Sequence, residues 1–134
     1  SDVITLHTNA TEENHHLIDA RAIETMKPGA VIINTARGKL IDSDAMIAGL
    51  ESGKLGGAAL DVLENENGLY YYNRMGDVIP NPELAALRSM PNVILTDHTA
   101  FYTEEDVESM VRGVLESAEA LVNGQPTRHD VSLK

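Results

Sequence analysis

Three side chains fall just beyond strand-like runs and are of types that handle anions and protons. Arg37 follows Ala30-Val31-Ile32-Ile33, Glu66 follows Ala58-Ala59-Leu60, and His98 follows Val93-Ile94-Leu95-Thr96. A guanidinium offers a planar fork that matches a carboxylate or a polarised carbonyl through two hydrogen bonds, which lysine does not reproduce. An imidazole can give a proton to a developing alkoxide and take it back in the reverse direction. A carboxylate bonded to the other ring nitrogen fixes the tautomer and favours imidazolium. Each residue alone has an ordinary reading: a surface ion-pair partner, a solvated loop acid, a satisfied structural histidine. Together they make a coherent set, but none carries electrons. Hydride chemistry here needs a cofactor.

The elements that hold these residues can be read from the chain. A first strand, Val3-Ile4-Thr5-Leu6, runs into His7-Thr8-Asn9. A short helix is expected from Ala20 to Met26 with Asp19 as cap, and Lys27-Pro28-Gly29 turns into the second strand. That apolar run reads as a strand buried on both faces. It stops in Asn34-Thr35-Ala36-Arg37-Gly38. A helix then starts at Asp42 or Ser43, with Met46, Ile47 and Leu50 on its apolar side and Gly53 as its stop. The third strand, Ala58 to Leu60, ends at Asp61, with Glu64 and Glu66 just beyond. An irregular stretch from Asn67 to Asn81 holds Tyr70-Tyr71-Tyr72, read either as packing over neighbouring loops or as an interface. Asn81-Pro82-Glu83 opens a brief helix, Leu84 to Arg88, before the fourth strand.

A last helix is capped by Thr103, with Glu104, Glu105 and Asp106 in its first turn and Gly124 and Pro126 at its end. Its apolar residues Val107, Met110, Val111, Val114, Ala118, Leu121 and Val122 recur at helical spacing and are expected to form a buried core stripe. Alternating strands and helices predict an α/β fold with a mainly parallel sheet and right-handed crossovers. Ligands of such sheets bind at the carboxyl ends of the strands, where Arg37, Glu66 and His98 all arrive. By the same geometry His7 and Asn9 are candidates to border the adenine or pyrophosphate side of a nucleotide, against the alternative of a plain polar strand end.

The 134 residues suffice for one domain, and the formal charge of −11, from 21 acidic and 10 basic residues, disfavours nucleic acid and anionic membranes as partners. The absence of cysteine excludes a disulfide framework and thiol chemistry. The apolar runs are too short to span a bilayer, so a soluble cytoplasmic protein is expected. A strand from the first residue leads us to expect chain before Ser1. His15-His16 carries no metal expectation, since neighbouring residues diverge on a helix or strand and no further ligand lies at useful spacing.

The segments N-T-A-R-G-K-L-I-D, G-G-A-A-L-D-V-L-E-N-E and T-D-H-T-A-F-Y-T, in this order and spacing, resemble the second half of a D-isomer-specific 2-hydroxyacid dehydrogenase, with the fermentative D-lactate dehydrogenase branch nearest in pattern. The resemblance implies a Rossmann-like half domain over residues 1–100, the carboxyl-terminal part of an NAD-binding domain. Residues 101–134 would form a long helix returning to a substrate domain that is mostly absent from the chain. It implies that Arg37 binds the substrate carboxylate and polarises its carbonyl, and that Glu66 pairs with His98, the acid/base. Asp61 would hydrogen-bond the nicotinamide carboxamide, Thr35 and Ala36 would lie beside that ring, and Phe101 would line the substrate pocket. The implied cofactor is NAD, the reaction is reversible NADH-dependent reduction of a pyruvate-like 2-oxo acid to the D-2-hydroxy acid, and the implied assembly is a homodimer. The family usually has proline before the histidine, where this chain has Asp97. Phosphoglycerate or glyoxylate dehydrogenases and a non-catalytic NADH-binding regulator are the rival readings. Without the glycine-rich phosphate loop, the isolated chain is expected to be inactive.

Overall fold

The computed structural model of the chain describes residues 1–127. The last part of the expected carboxyl-terminal segment, residues 128–134, lies outside the described residues. Four strands, β1 (Val3–Leu6), β2 (Ala30–Asn34), β3 (Leu55–Leu60) and β4 (Val93–Leu95), form one parallel sheet in the order β1-β2-β3-β4. Helices α1 (Ala20–Thr25), α2 (Ser43–Glu51) and α3 (Pro82–Ser89) are the successive crossovers, and α4 (Glu104–Val122) follows the sheet. The chain divides into two compact units at Thr99/Ala100.

The helices start where side chains can supply the acceptors their first turns lack. Asp19 accepts from the Ala22 amide at 2.7 Å, Asp42 from Ala45 at 3.0 Å, and Asn81 from Leu84 at 2.8 Å. Asp42, rather than Ser43, is therefore the cap of α2. Its apolar side packs Met46 and Leu50 into a core with Ile23, Ile32, Leu55 and Leu87.

Paired residues of a parallel sheet share a face, so register and burial show how the sheet is covered. One face carries Leu6, Ile32, Ala58 and Leu60, all buried. The other carries Val3, Val31, Ile33, Ala59 and Ile94, and there Val3 is 54% and Ile94 68% exposed. The expectation that the second strand is buried on both faces is thus corrected. An apolar run does not reveal whether a second layer is present, and β2 alternates between buried and half-buried positions.

β3 begins three residues earlier than its sequence suggests, because Gly56 and Gly57 are poor strand formers in isolation. Here the register shifts between Ala30 and Val31, leaving Gly56 as the extra residue of a bulge. A Cβ built on Gly56 would lie 2.4 Å from the Gly29 carbonyl oxygen, so the bulge needs a residue without one.

In the second unit, Thr103 caps α4 by accepting from the Asp106 amide at 3.1 Å. The apolar stripe expected to be core is not buried: no residue of α4 is, and Val114 and Leu121 are 68% and 79% exposed. Helical spacing fixes which side is apolar, whereas burial requires a facing element. The unit holds no second helix or strand among the described residues. No helix among them is long and apolar enough to cross a membrane.

Replacing Gly56 with alanine should lower stability by about 1–3 kcal/mol through the clash with Gly29. Chemical denaturation checks this, and an unchanged midpoint would remove the close approach as a constraint.

Candidate active site

The turn after β2 is built by a buried asparagine. Asn34 is 1% exposed; its amide nitrogen donates to the Arg37 carbonyl at 2.9 Å, and its side-chain oxygen accepts from the Ala36 amide at 3.0 Å. The side chain thus closes the turn Thr35-Ala36-Arg37 on itself, as Asx residues do where a strand must end sharply. Thr35 and Arg37 are exposed on that turn, and Ala36 is half-buried. The Arg37 guanidinium donates to the Ala36 carbonyl at 2.6 Å. Directly after it, Gly38 lets the β2 and β3 turns touch. A Cβ there would fall 2.0 Å from the Leu63 carbonyl carbon and 2.4 Å from the Glu64 amide nitrogen.

That approach creates a cleft of about 180 Å³, lined among others by Ala10, Arg37, Leu63, Glu64 and Glu66. The Glu66 carboxylate is held at both oxygens. One accepts from the Leu63 amide at 2.9 Å, and the other lies 2.9 Å from Nδ1 of His98. A carboxylate only accepts, so His98 presents Nδ1 as N–H to it. The structure therefore brings Arg37 and Glu66 to one cleft and His98 onto Glu66.

His98 sits in the left-handed region, at φ +52. Such a conformation costs a non-glycine residue about 1–3 kcal/mol and persists only where the surroundings impose it. Three partners do so here. Glu66 holds the ring, the Tyr71 hydroxyl donates to the His98 carbonyl at 2.5 Å, and Asp61 accepts from the Thr99 amide at 2.8 Å. The same Asp61 oxygen takes the Thr96 hydroxyl at 2.5 Å, and Asp61 itself is 4% exposed.

Asp97 pairs with Arg88 at 3.3 Å on an exposed surface. Its carboxylate is thus engaged by α3. Tyr70 and Tyr71 lay their rings against the imidazole, with centroids 6.5 and 6.1 Å away. Burial first, then the Glu66 and Asp97 carboxylates, push the Tyr70 phenol up to about 12, so it stays neutral beside His98.

The remaining sequence candidates lie as follows. His7 and Asn9 are exposed past the end of β1, where His7 Nε2 meets the Thr5 hydroxyl at 2.8 Å and Asn14 donates to the Asn9 carbonyl at 2.7 Å. Phe101 belongs to the second unit and packs edge-on to Tyr102 at 6.1 Å. The reason given for setting His15-His16 aside does not hold: His16 adopts φ +53 in a turn, and the two rings stack 3.9 Å apart. The sequence gives no role to Asn34 or Gly38, whereas Tyr70 and Tyr71 pack over the neighbouring His98 loop, one of the two readings of their segment. Only the Asx-type residue at the strand end and the glycine after the arginine were signals of the first two.

A parallel sheet whose strand ends gather a cation, an acid and an imidazole presents them at the edge where such sheets bind nucleotides. The family model "D-isomer specific 2-hydroxyacid dehydrogenase, NAD binding domain" matches residues 1–100, and the chain belongs to that family. It is 50% identical over 111 residues to the aromatic 2-oxoacid reductase of Clostridium sporogenes, covering 83% of this chain and 34% of that protein. It is 41% identical over 133 residues to the D-lactate dehydrogenase of Treponema pallidum, covering 99% of this chain and 40% of the relative. The crystal structure of a Treponema pallidum D-lactate dehydrogenase superimposes with a TM-score of 0.94 at 40% identity, over 98% of this chain and 40% of that one. The NAD-complexed D-isomer specific 2-hydroxyacid dehydrogenase of Lactobacillus delbrueckii gives 0.91 at 33% identity, again over 98% and 40%. The chain thus spans about two-fifths or less of the length of these relatives.

Asn34→Ala should leave the part-buried Ala36 amide and Arg37 carbonyl without their partner and cost about 1–3 kcal/mol in urea denaturation. A change within about 0.5 kcal/mol, as for an ordinary surface substitution, would show that the turn does not depend on Asn34.

Proposed function

We propose that this chain is the nicotinamide-side part of an enzyme that reduces a 2-oxo acid to its D-2-hydroxy acid, reversibly. The observation that carries this reading is the Glu66–His98 pair bordering the cleft that holds Arg37.

The residues fit the nicotinamide end of NAD. Exposed Thr35 has a hydroxyl to offer a carboxamide at the edge where such sheets bind nucleotides, and Ala36, whose carbonyl Arg37 would vacate on taking a substrate, stands beside it with buried Asp61 at the end of the next strand. The chain has no G-x-G-x-x-G motif to cradle the pyrophosphate. When bound, NAD supplies the hydride chemistry that no side chain here can provide.

The protein's own part is positioning and proton transfer. Arg37 swings from the Ala36 carbonyl to take the substrate carboxylate in a bidentate pair and to polarise the neighbouring ketone. His98, oriented through Nδ1 by Glu66, gives the proton at Nε2 to the carbonyl oxygen as it gains charge, and recovers it in the oxidation direction. The neutral Tyr70 adds no competing charge beside the imidazole.

Pyruvate is the first substrate to test, given the D-lactate dehydrogenases among the relatives. An aromatic 2-oxo acid is the second, favoured by the Clostridium sporogenes reductase and by the two tyrosine rings beside His98. Comparing pyruvate with phenylpyruvate in an active enzyme containing residues 1–134 separates them.

The general reading is tested by a chimera in which residues 1–134 replace the matching segment of the Treponema pallidum enzyme. NADH-dependent reduction of pyruvate or phenylpyruvate is expected. His98→Gln should lower kcat by about 10²–10⁴-fold, and Arg37→Gln should lower kcat/KM by about 10–100-fold. A folded, NADH-binding chimera whose turnover ignores both substitutions would overturn the proposal.

A further inference from the structure

Beside the candidate active site, and sharing Glu64 with the wall of its cleft, one cluster has side chains of the types and placement that bind a metal. Ligand atoms of His15, His16 and Glu64 all lie within 4.8 Å of one another. His16 Nε2 stands 2.6 Å from a Glu64 oxygen, and His15 Nε2 stands 3.7 Å from the same oxygen. We propose that His15, His16 and Glu64 form a three-ligand site for a divalent transition metal of the zinc class.

The first argument is the backbone. Two consecutive residues point apart on any regular element, yet these two rings stack at 3.9 Å and 29° because His16 takes φ +53. The left-handed conformation is strained for an L residue other than glycine and needs a reason to persist. A single histidine would be enough to staple Glu64 to this turn. The staple alone does not account for a second imidazole folded onto the first and aimed at the same oxygen.

The second argument is that the ligands are fixed before any ion arrives. His16 N donates to the Lys39 carbonyl at 2.9 Å, Ile18 N to Leu40 at 2.9 Å, and Asp42 N to Ile18 at 3.0 Å, which stitches the histidine turn to residues 39–42. Glu64 is held against that same segment by the contact that only Gly38 permits. Asp42, the cap of α2, brings a carboxylate oxygen to 3.7 Å from Nδ1 of His16. At that distance the carboxylate is a charge neighbour and not a hydrogen bond, on the side where a ligating histidine usually donates its other N–H.

The donor set decides the ion. Two neutral imidazoles and one carboxylate suit zinc, copper or nickel, whereas magnesium and calcium prefer all-oxygen shells. Ligands about 2.0–2.2 Å from a tetrahedral zinc stand roughly 3.3–3.5 Å from one another. The His15–Glu64 separation of 3.7 Å is already near that range, and the His16–Glu64 hydrogen bond, at 2.6 Å, opens by about 0.7–0.9 Å to admit the ion. Three ligands leave the fourth position to water. The acidic chain also raises the local concentration of cations.

This inference does not rest on the dehydrogenase reading. Its test is titration of Zn²⁺ into the 134-residue chain against a chromophoric chelator, with Co²⁺ absorption reporting coordination geometry. One saturable equivalent and a tetrahedral Co²⁺ spectrum are expected. His15→Gln and Glu64→Gln should each weaken binding at least tenfold and abolish the spectrum, and His98→Gln should leave both intact. His15 is exposed, so its substitution separates lost binding from lost folding. Absence of saturable Zn²⁺ binding, full affinity in the His15 and Glu64 variants, or loss confined to His98→Gln would overturn the site.

Discussion

Two buried polar side chains lace the strand ends together, and the geometry of the site depends on them. Asn34 closes the β2 turn with its side chain, while its carbonyl accepts from the Asp61 amide at 3.0 Å. Asp61 in turn holds Thr96 and Thr99 on either side of His98. Polar groups at these depths must be satisfied, because each left unpaired costs about 1–3 kcal/mol. The demand for hydrogen-bond partners therefore also fixes the turn that carries Arg37 and the turn that carries His98.

Close packing supplies the other half of the constraint. At Gly38 the β2 turn meets the backbone after β3 closely enough to exclude any side chain, and the cleft between Arg37 and Glu66 results. Tyr71 completes the arrangement from the long loop by accepting the duty of holding the His98 carbonyl in a strained conformation. On the proposed reading, the guanidinium and imidazole act on one small anionic ketone, with the carboxylate orienting the imidazole. Preorganised charge of this kind contributes most when the groups cannot relax away from it.

Much of this was legible in the sequence. The four strands, their parallel pairing and the helix caps follow from apolar runs alternating with helices and from Asx or Thr residues at the starts of the helices, and the pairing of Glu66 with His98 follows from the family resemblance; the order of the strands in the sheet does not. Burial was harder to read. Val31 and Ile33 look like core, and the stripe on α4 looks like core, because apolar pattern specifies a side without specifying what covers it. β3 was read too short because Gly56 and Gly57 weaken a local strand signal while permitting backbone contact. The stacked His15 and His16 were missed because one left-handed residue overturns the alternation on which facing arguments rest. Packing of the tyrosines over neighbouring loops was one of two readings, but no periodicity governs an irregular segment, so nothing in the sequence says that the loop they cover is the one carrying His98.

The central claim is that Arg37, Glu66 and His98 serve a single substrate. A crystal structure of an active enzyme containing residues 1–134, with NADH and the 2-oxo acid analogue oxamate, tests it most directly. The account predicts the oxamate carboxylate on the Arg37 guanidinium and its amide oxygen within hydrogen-bonding reach of His98 Nε2, with Glu66 still on Nδ1. Oxamate bound elsewhere, with Arg37 still turned onto the Ala36 carbonyl, would contradict it.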